Sequence, residues 1–231
     1  LADFSFFDQV KSFLLNIIPL LICFTAATTV SSFVKAWVAN HFGDPTAKVA
    51  GRLTLIPIHF DWVGTLFLLL FYPGWAKPVP VNLTNLGQKR NKVALIELSG
   101  VAANLAIGLA SLIIYWLLLK LEPVLNLDLR TFKKLFELFG TFNVFYAVFS
   151  LLPIPPLSGF RILVALFYHK PQGVLDSWII NLVGAAILMI LFIWTPLLNI
   201  LVVATQAVTG LLQSSGTSYF SYFSLALFGG Y

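Results

Sequence analysis

The chain has 231 residues, of which 59% are hydrophobic and only 10% charged, with a mean hydropathy of +0.91. A soluble domain is about 45–50% apolar and about 25% charged, so one water-soluble core of this size is excluded, and disorder is excluded with it. The net charge of +5 comes from 14 Lys/Arg against 9 Asp/Glu, with no basic stripe interleaved with aromatics, which excludes a nucleic-acid footprint and leaves a polytopic membrane protein.

Residues 1–10 are aromatic with two acids, Asp3 and Asp8, and read as an interfacial lead-in with no cleavable signal peptide. Residue 1 is Leu and Met occurs once, which leaves a start upstream of Leu1 open. Residues 11–42 form a long apolar stretch, about 48 Å as a helix, with Pro19 expected to kink it. Thr25, Thr28, Ser32 and Lys35 fall on one face of it, with Thr29 and Ser31 beside them. Such a polar stripe faces protein or a wet cavity, not lipid.

Gly43-Asp44-Pro45 ends this helix. Residues 52–58 alternate and are β-branched, which predicts a short strand or hairpin. Residues 61–72 predict a short apolar helix, and residues 73–92 a Pro-rich, then basic, loop. Residues 93–119 predict a membrane span with Gly100, Asn104 and Gly108 at i, i+4 and i+8, a ridge on which another backbone can approach closely. Further spans are expected at 135–152, 177–194 and 197–212, with a proline-rich turn at 153–159 and a Ser- and aromatic-rich tail at 213–231. The expectation is one all-α membrane domain over 1–231 with about six transmembrane helices and a short β-hairpin-like element after the first. Loop charges are balanced between the two sides and do not fix orientation.

Several stretches together resemble the site-2 protease family of intramembrane zinc metallopeptidases, in its compact branch without a PDZ domain. They are GDPTAKVAGRLTL (43–55), His59-Phe-Asp61 with Gly64-Thr65, GWAKPVPVN (74–82), SGVAAN (99–104) and LLPIPPLSG (151–159). The resemblance covers roughly residues 20–170. It implies a core over 11–170, followed by two further helices in 171–212.

In that family a helix carries His-Glu-x-x-His just before the Gly-Asp pair. The two His, one turn apart, reach one zinc, and the Glu is the general base for the zinc-bound water. An Asp in the later Pro-rich turn completes the metal site. Counting back from Gly43-Asp44, the corresponding positions hold Ser31, Ser32 and Lys35, and the turn position holds Ser158. Serine hydroxyl is a poor neutral ligand, and Lys35 is a cation. With one cysteine, Cys23, and three histidines (His41, His59, His169), no other ligand set stands in these motifs. No metal and no cofactor are expected. Asn104 and Asn143 match the family pattern, and the resemblance implies substrate-backbone contact for Asn104, against a plain interhelical bond.

A cation near membrane depth costs about 2.5–3.5 kcal/mol at a helix centre and less near an end. Lys35 is therefore expected either to snorkel or to pair with Glu97 or Asp61, its ammonium taking the place of the metal. Gly100, Asn104, Asn143, Pro153, Pro155 and Pro156 are candidates for helix packing or for holding a client. The functional expectation is a pseudoprotease that is not an enzyme, an accessory subunit of a larger membrane complex in a bacterial plasma membrane or an organelle inner membrane. Its partners would be lipid and other membrane-protein subunits. Alternatives are a regulatory binder of transmembrane clients and an intramembrane peptidase with an atypical site.

Overall fold

The computed structural model describes residues 6–56, 58–71 and 73–210. The expected tail at 213–231 lies outside them, as do residues 1–5 of the lead-in. Among the described residues the chain is all helical. The elements are α1 (Phe6–His41), α2 (Thr46–Val49), α3 (Trp62–Phe71), α4 (Arg90–Leu125), α5 (Arg130–Ser150), α6 (Ser158–Phe167), α7 (Pro171–Leu175), α8 (Trp178–Trp194) and α9 (Leu197–Thr209).

Helix α4 is central and packs on α1, α5 and α6. Its 36 residues, about 54 Å at 1.5 Å per residue, exceed the roughly 30 Å of a bilayer core. The small-residue ridge works in two directions. Gly108 and Gly140 face each other, so that a methyl on Gly108 would meet the Gly140 carbonyl at 2.9 Å and bring α4 and α5 into backbone contact. Gly100 serves α1 instead: a methyl there would strike Lys35 Cε and lie 2.6 Å from Ser31 Oγ. Between them Asn104 is fully buried.

Two helices, residues 17–41 and 90–125, are long and apolar enough to cross a membrane, and the pair α8 and α9 adds a third if read as one span bent by 87°. This corrects the expectation of about six spans. Helices α3 and α6 have 10 residues each, about 15 Å, too short to cross. Helix α5 carries Arg130, Lys133, Lys134 and Glu137 in its first half. The break between α8 and α9 is at Thr195-Pro196, where the ring of Pro196 removes a donor. Helix α1 runs through Pro19 without interruption. Many outward side chains of α8 and α9, among them Trp178, Ile190, Trp194 and Val203, are exposed and apolar, as a membrane setting requires.

The expected β-hairpin is absent among the described residues. One isolated bridge, Phe60 to Ala76, stands in its place. The alternation in 52–58 is overridden by turn bonds within the segment and by a long-range bond from Arg52. Arg52 Nη2 donates to the Lys77 carbonyl at 2.7 Å, and Ile58 N donates to the Ile56 carbonyl at 2.7 Å. His59 Nε2 lies 3.1 Å from the Thr54 carbonyl. The backbone polar groups of an apolar stretch are thus met by side chains and turns instead of a ladder.

The connection after α1 is tied down by Asp44, which is fully buried. Its Oδ1 accepts from Thr46 N (3.1 Å), Thr46 Oγ1 (2.5 Å) and Asn85 Nδ2 (2.9 Å), and Oδ2 accepts from Asn82 N (2.7 Å). Burial pushes this carboxyl up, but the bonds from Asn85, Thr46 and Asn82 outweigh it and hold the group below its ordinary range. A carboxylate depressed in the fold contributes stability above its unfolded pKa and loses it as pH falls through the folded value. Asp44→Asn is expected to destabilise the purified protein at neutral pH by on the order of 1–3 kcal/mol, the cost of unpaired buried donors, and so to lower its thermal midpoint. The deficit relative to wild type should begin to shrink as pH falls below the ordinary carboxylate value of about 3.9, and close only further down, as the wild-type carboxylate in the fold takes up its proton. Unfolding curves of both proteins across pH 3–7 check this.

Candidate functional site

The four positions singled out from the sequence converge. Ser31, Ser32 and Lys35 on α1 and Ser158 at the start of α6 line one buried pocket of about 30 Å³, together with Glu97 of α4, Arg161 of α6 and Ser150 of α5. Residues 75–79 of the Pro-rich loop form another wall. Trp75 is buried, and Phe67 lies against it at 5.1 Å between ring centroids.

Glu97, 1% exposed, organises the charges. Lys35 Nζ lies 2.8 Å from its Oε2, and Arg161 Nε donates to its Oε1 at 2.5 Å. Lys35 also donates to Ser158 Oγ at 2.7 Å, which joins residues 123 positions apart. Arg161 has no nitrogen to spare: Nη1 donates to the Leu175 carbonyl (3.1 Å) and Nη2 to the Val79 carbonyl (3.2 Å). One carboxylate on α4 therefore holds a cation from α1 and a cation from α6, and the second cation also holds the loop and α7. Arg161 escaped the sequence reading. Its signal was there to be used, as the single charge in the apolar stretch 158–167, three residues beyond Ser158.

The other candidates fall around this cluster. Asp61 does not join it; its Oδ1 accepts from Gly64 N at 2.9 Å and caps the start of α3. His59 is buried outside the pocket lining, with Nδ1 unpartnered among the described residues. Burial holds its imidazole below its ordinary value against the bond to the Thr54 carbonyl, with a lesser contribution from the nearby Arg52 charge, which favours the neutral ring. Asn143 donates to the Phe139 carbonyl of its own helix at 2.8 Å. Asn104 has both amide atoms buried and without a partner among the described residues. Pro156 lines the pocket, Pro155 packs against Gly184 of α8, and Pro153 is exposed.

A zinc ion needs three good protein donors, of the His, Cys or carboxylate kind. Among the described residues no group of three or more His, Cys, Asp or Glu comes together. In the pocket the donors are neutral hydroxyls, one ammonium, and a carboxylate with both oxygens already facing cations. This donor set does not fit zinc.

Removing one partner of a buried ion pair leaves an uncompensated charge, at about 3–5 kcal/mol. Glu97→Gln leaves two cations facing each other and is expected to be the most damaging single change in the cluster. Arg161→Met should follow, because two carbonyls also lose their donor, and Lys35→Met should be mildest, because the Glu97–Arg161 pair survives it. Thermal unfolding of the three variants in one detergent gives the order, and Lys35→Met as the worst of the three would refute it.

No protein-family model and no solved structure matches the chain. A curated protein does: over 173 residues, covering 72% of this chain and 76% of its own, the chain is 34% identical to a Bacillus subtilis (strain 168) protein named "Putative zinc metalloprotease YwhC". That name points to an enzyme and overturns the expectation that the chain is not one; serine and lysine at the motif positions were too narrow a basis for it. At this identity and coverage the shared ancestry is plain, and the chain belongs to the zinc-metalloprotease family of that Bacillus protein.

Proposed function

We propose that the chain engages membrane-embedded segments of other proteins at the Lys35–Ser158 pocket, the client class of an intramembrane peptidase, with a site of atypical donors. The observation that carries this reading is the convergence of Ser31, Ser32 and Lys35, on the membrane-crossing helix α1, with Ser158, at the start of the short helix α6, in one polar pocket. An intramembrane peptidase needs such a polar centre reachable from lipid.

A surface for the client lies on the same helix. An open apolar groove of about 610 Å³ runs along α1, lined by Ile18, Ile22, Thr25, Thr29 and Leu55 among others, and reaches Val30, the residue before Ser31. Its hydroxyls suit a client helix that carries small or polar residues. Asn104, buried with an unsatisfied amide one turn beyond Gly100 on α4, offers a donor and an acceptor to a backbone that has left helical pairing.

The test places a photo-crosslinking residue at Thr25 or Thr29 of the purified chain in lipid nanodiscs with a single-pass client peptide. Expected are crosslinks into the client's apolar segment from both positions, and fragments cut within that segment. Cutting should persist with chelator, since the pocket does not fit zinc. Crosslinks no stronger than those from a lipid-facing control position such as Ile190 would sink the reading.

A further inference from the structure

We propose that the pocket around Lys35 binds one small monovalent anion of halide size. The proposal goes beyond the handling of peptides and does not depend on it. Three observations carry it.

The first is charge. Two cations, Lys35 and Arg161, share one carboxylate, Glu97, so the cluster carries one net positive charge. All three residues are buried or nearly so, with side-chain exposures of 15%, 6% and 1%. An unneutralised charge in an apolar setting is costly, and a counter-charge is the direct remedy. Arg161 directs a bond from each of its three nitrogens at Glu97 and at the Leu175 and Val79 carbonyls, while Lys35, which lines the pocket, points at most two of its three N–H bonds at Ser158 and Glu97 and has one to offer a ligand there.

The second is the supply of donors. Ser31 and Ser32 are 6% and 3% exposed and line the pocket. Their hydroxyls have no hydrogen-bond partner among the described residues. Ser158 accepts from Lys35 and keeps its own O–H to give. It is also the first residue of α6, a helix of 10 residues whose N-terminus carries no side-chain cap. The first N–H groups of a helix are unpaired within it and carry partial positive charge, which favours an anion there.

The third is size. A void of about 30 Å³ holds one small ion or about two waters. Sulfate, with two charges, would overshoot the single net positive charge of the cluster. Water answers the hydroxyls but leaves the net charge standing.

The experiment uses the full purified chain in detergent, in sodium gluconate at constant ionic strength, titrated with sodium bromide or sodium chloride while its tryptophan fluorescence reports thermal unfolding. A saturable rise in the midpoint is expected with both halides and not with sulfate. The apparent Kd should rise about tenfold in Ser31→Ala and in Ser32→Ala, and saturation should vanish in Lys35→Met. Because Lys35→Met removes part of the helix clamp, the two serine variants carry the test if it fails to fold. Crystals soaked in bromide should show an anomalous peak within hydrogen-bond reach of Lys35 Nζ. A linear response equal in wild type and serine variants, an equal response to sulfate, or a bromide peak outside the pocket would each overturn the proposal.

Discussion

One carboxylate shared by two cations is the constraint on which the rest of this structure depends. Glu97 sits on the central helix with 1% of its surface exposed, and it can stay ionised there only because Lys35 and Arg161 reach it from two other helices. The geometry around it serves that contact. Gly100, one turn along α4, has no side chain, and the stem of Lys35 occupies the space a methyl would fill. A buried ion pair adds little net stability compared with a well-packed apolar replacement, yet a broken one is costly. The cluster is therefore better understood as a device that fixes which faces of α1, α4 and α6 meet than as a store of stabilisation.

The same logic governs the irregular segment between α1 and α4. Backbone in an apolar environment must have its N–H and C=O groups satisfied by protein. A sheet is one solution, and this chain uses another. Arg52 takes the Lys77 carbonyl, Arg161 takes those of Val79 and Leu175, and Asp44 takes the N–H groups of Thr46 and Asn82. Charged side chains act as detached pieces of a hydrogen-bond ladder. Arg161 has a double duty as a result: the guanidinium that neutralises Glu97 also holds down the loop that walls the pocket, so charge balance and pocket shape are tied to one residue.

Much of this was legible in the residues themselves. Apolar excess identified the membrane, the polar stripe on α1 identified the inward face, and the Gly100–Asn104–Gly108 spacing identified a close-packing ridge on α4. The number of spans was not legible, because hydropathy does not register the brevity of α3 and α6 or the 87° bend between α8 and α9. The predicted strand at 52–58 failed because alternation describes a preference of an isolated segment, whereas the bond from Arg52 to the Lys77 carbonyl is tertiary and the turn from Thr54 to His59 closes on itself. Within the site, Ser31, Ser32, Lys35 and Ser158 were found through motif positions, and Arg161 was missed because no motif position pointed to it. A lone cation in an apolar helix was the physical signal, and it is independent of any family pattern.

The side chains that line the pocket set its chemistry. The similarity to the Bacillus protein extends over 173 residues, 72% of this chain. What the pocket encloses is set by the side chains at positions 31, 32, 35 and 158. A site for a dication must present electron pairs and net negative charge. This pocket presents O–H and N–H bonds and one net positive charge. In this chain Arg161 and Lys35 meet Glu97, and the remaining imbalance is a single charge beside three hydroxyl donors. A hydrolytic step in such a pocket would have to work with hydroxyls and a shared carboxylate, and its electrostatics would favour groups that become negative. The sign of the pocket is thus the property that decides which ligand, and which transition state, this scaffold can stabilise.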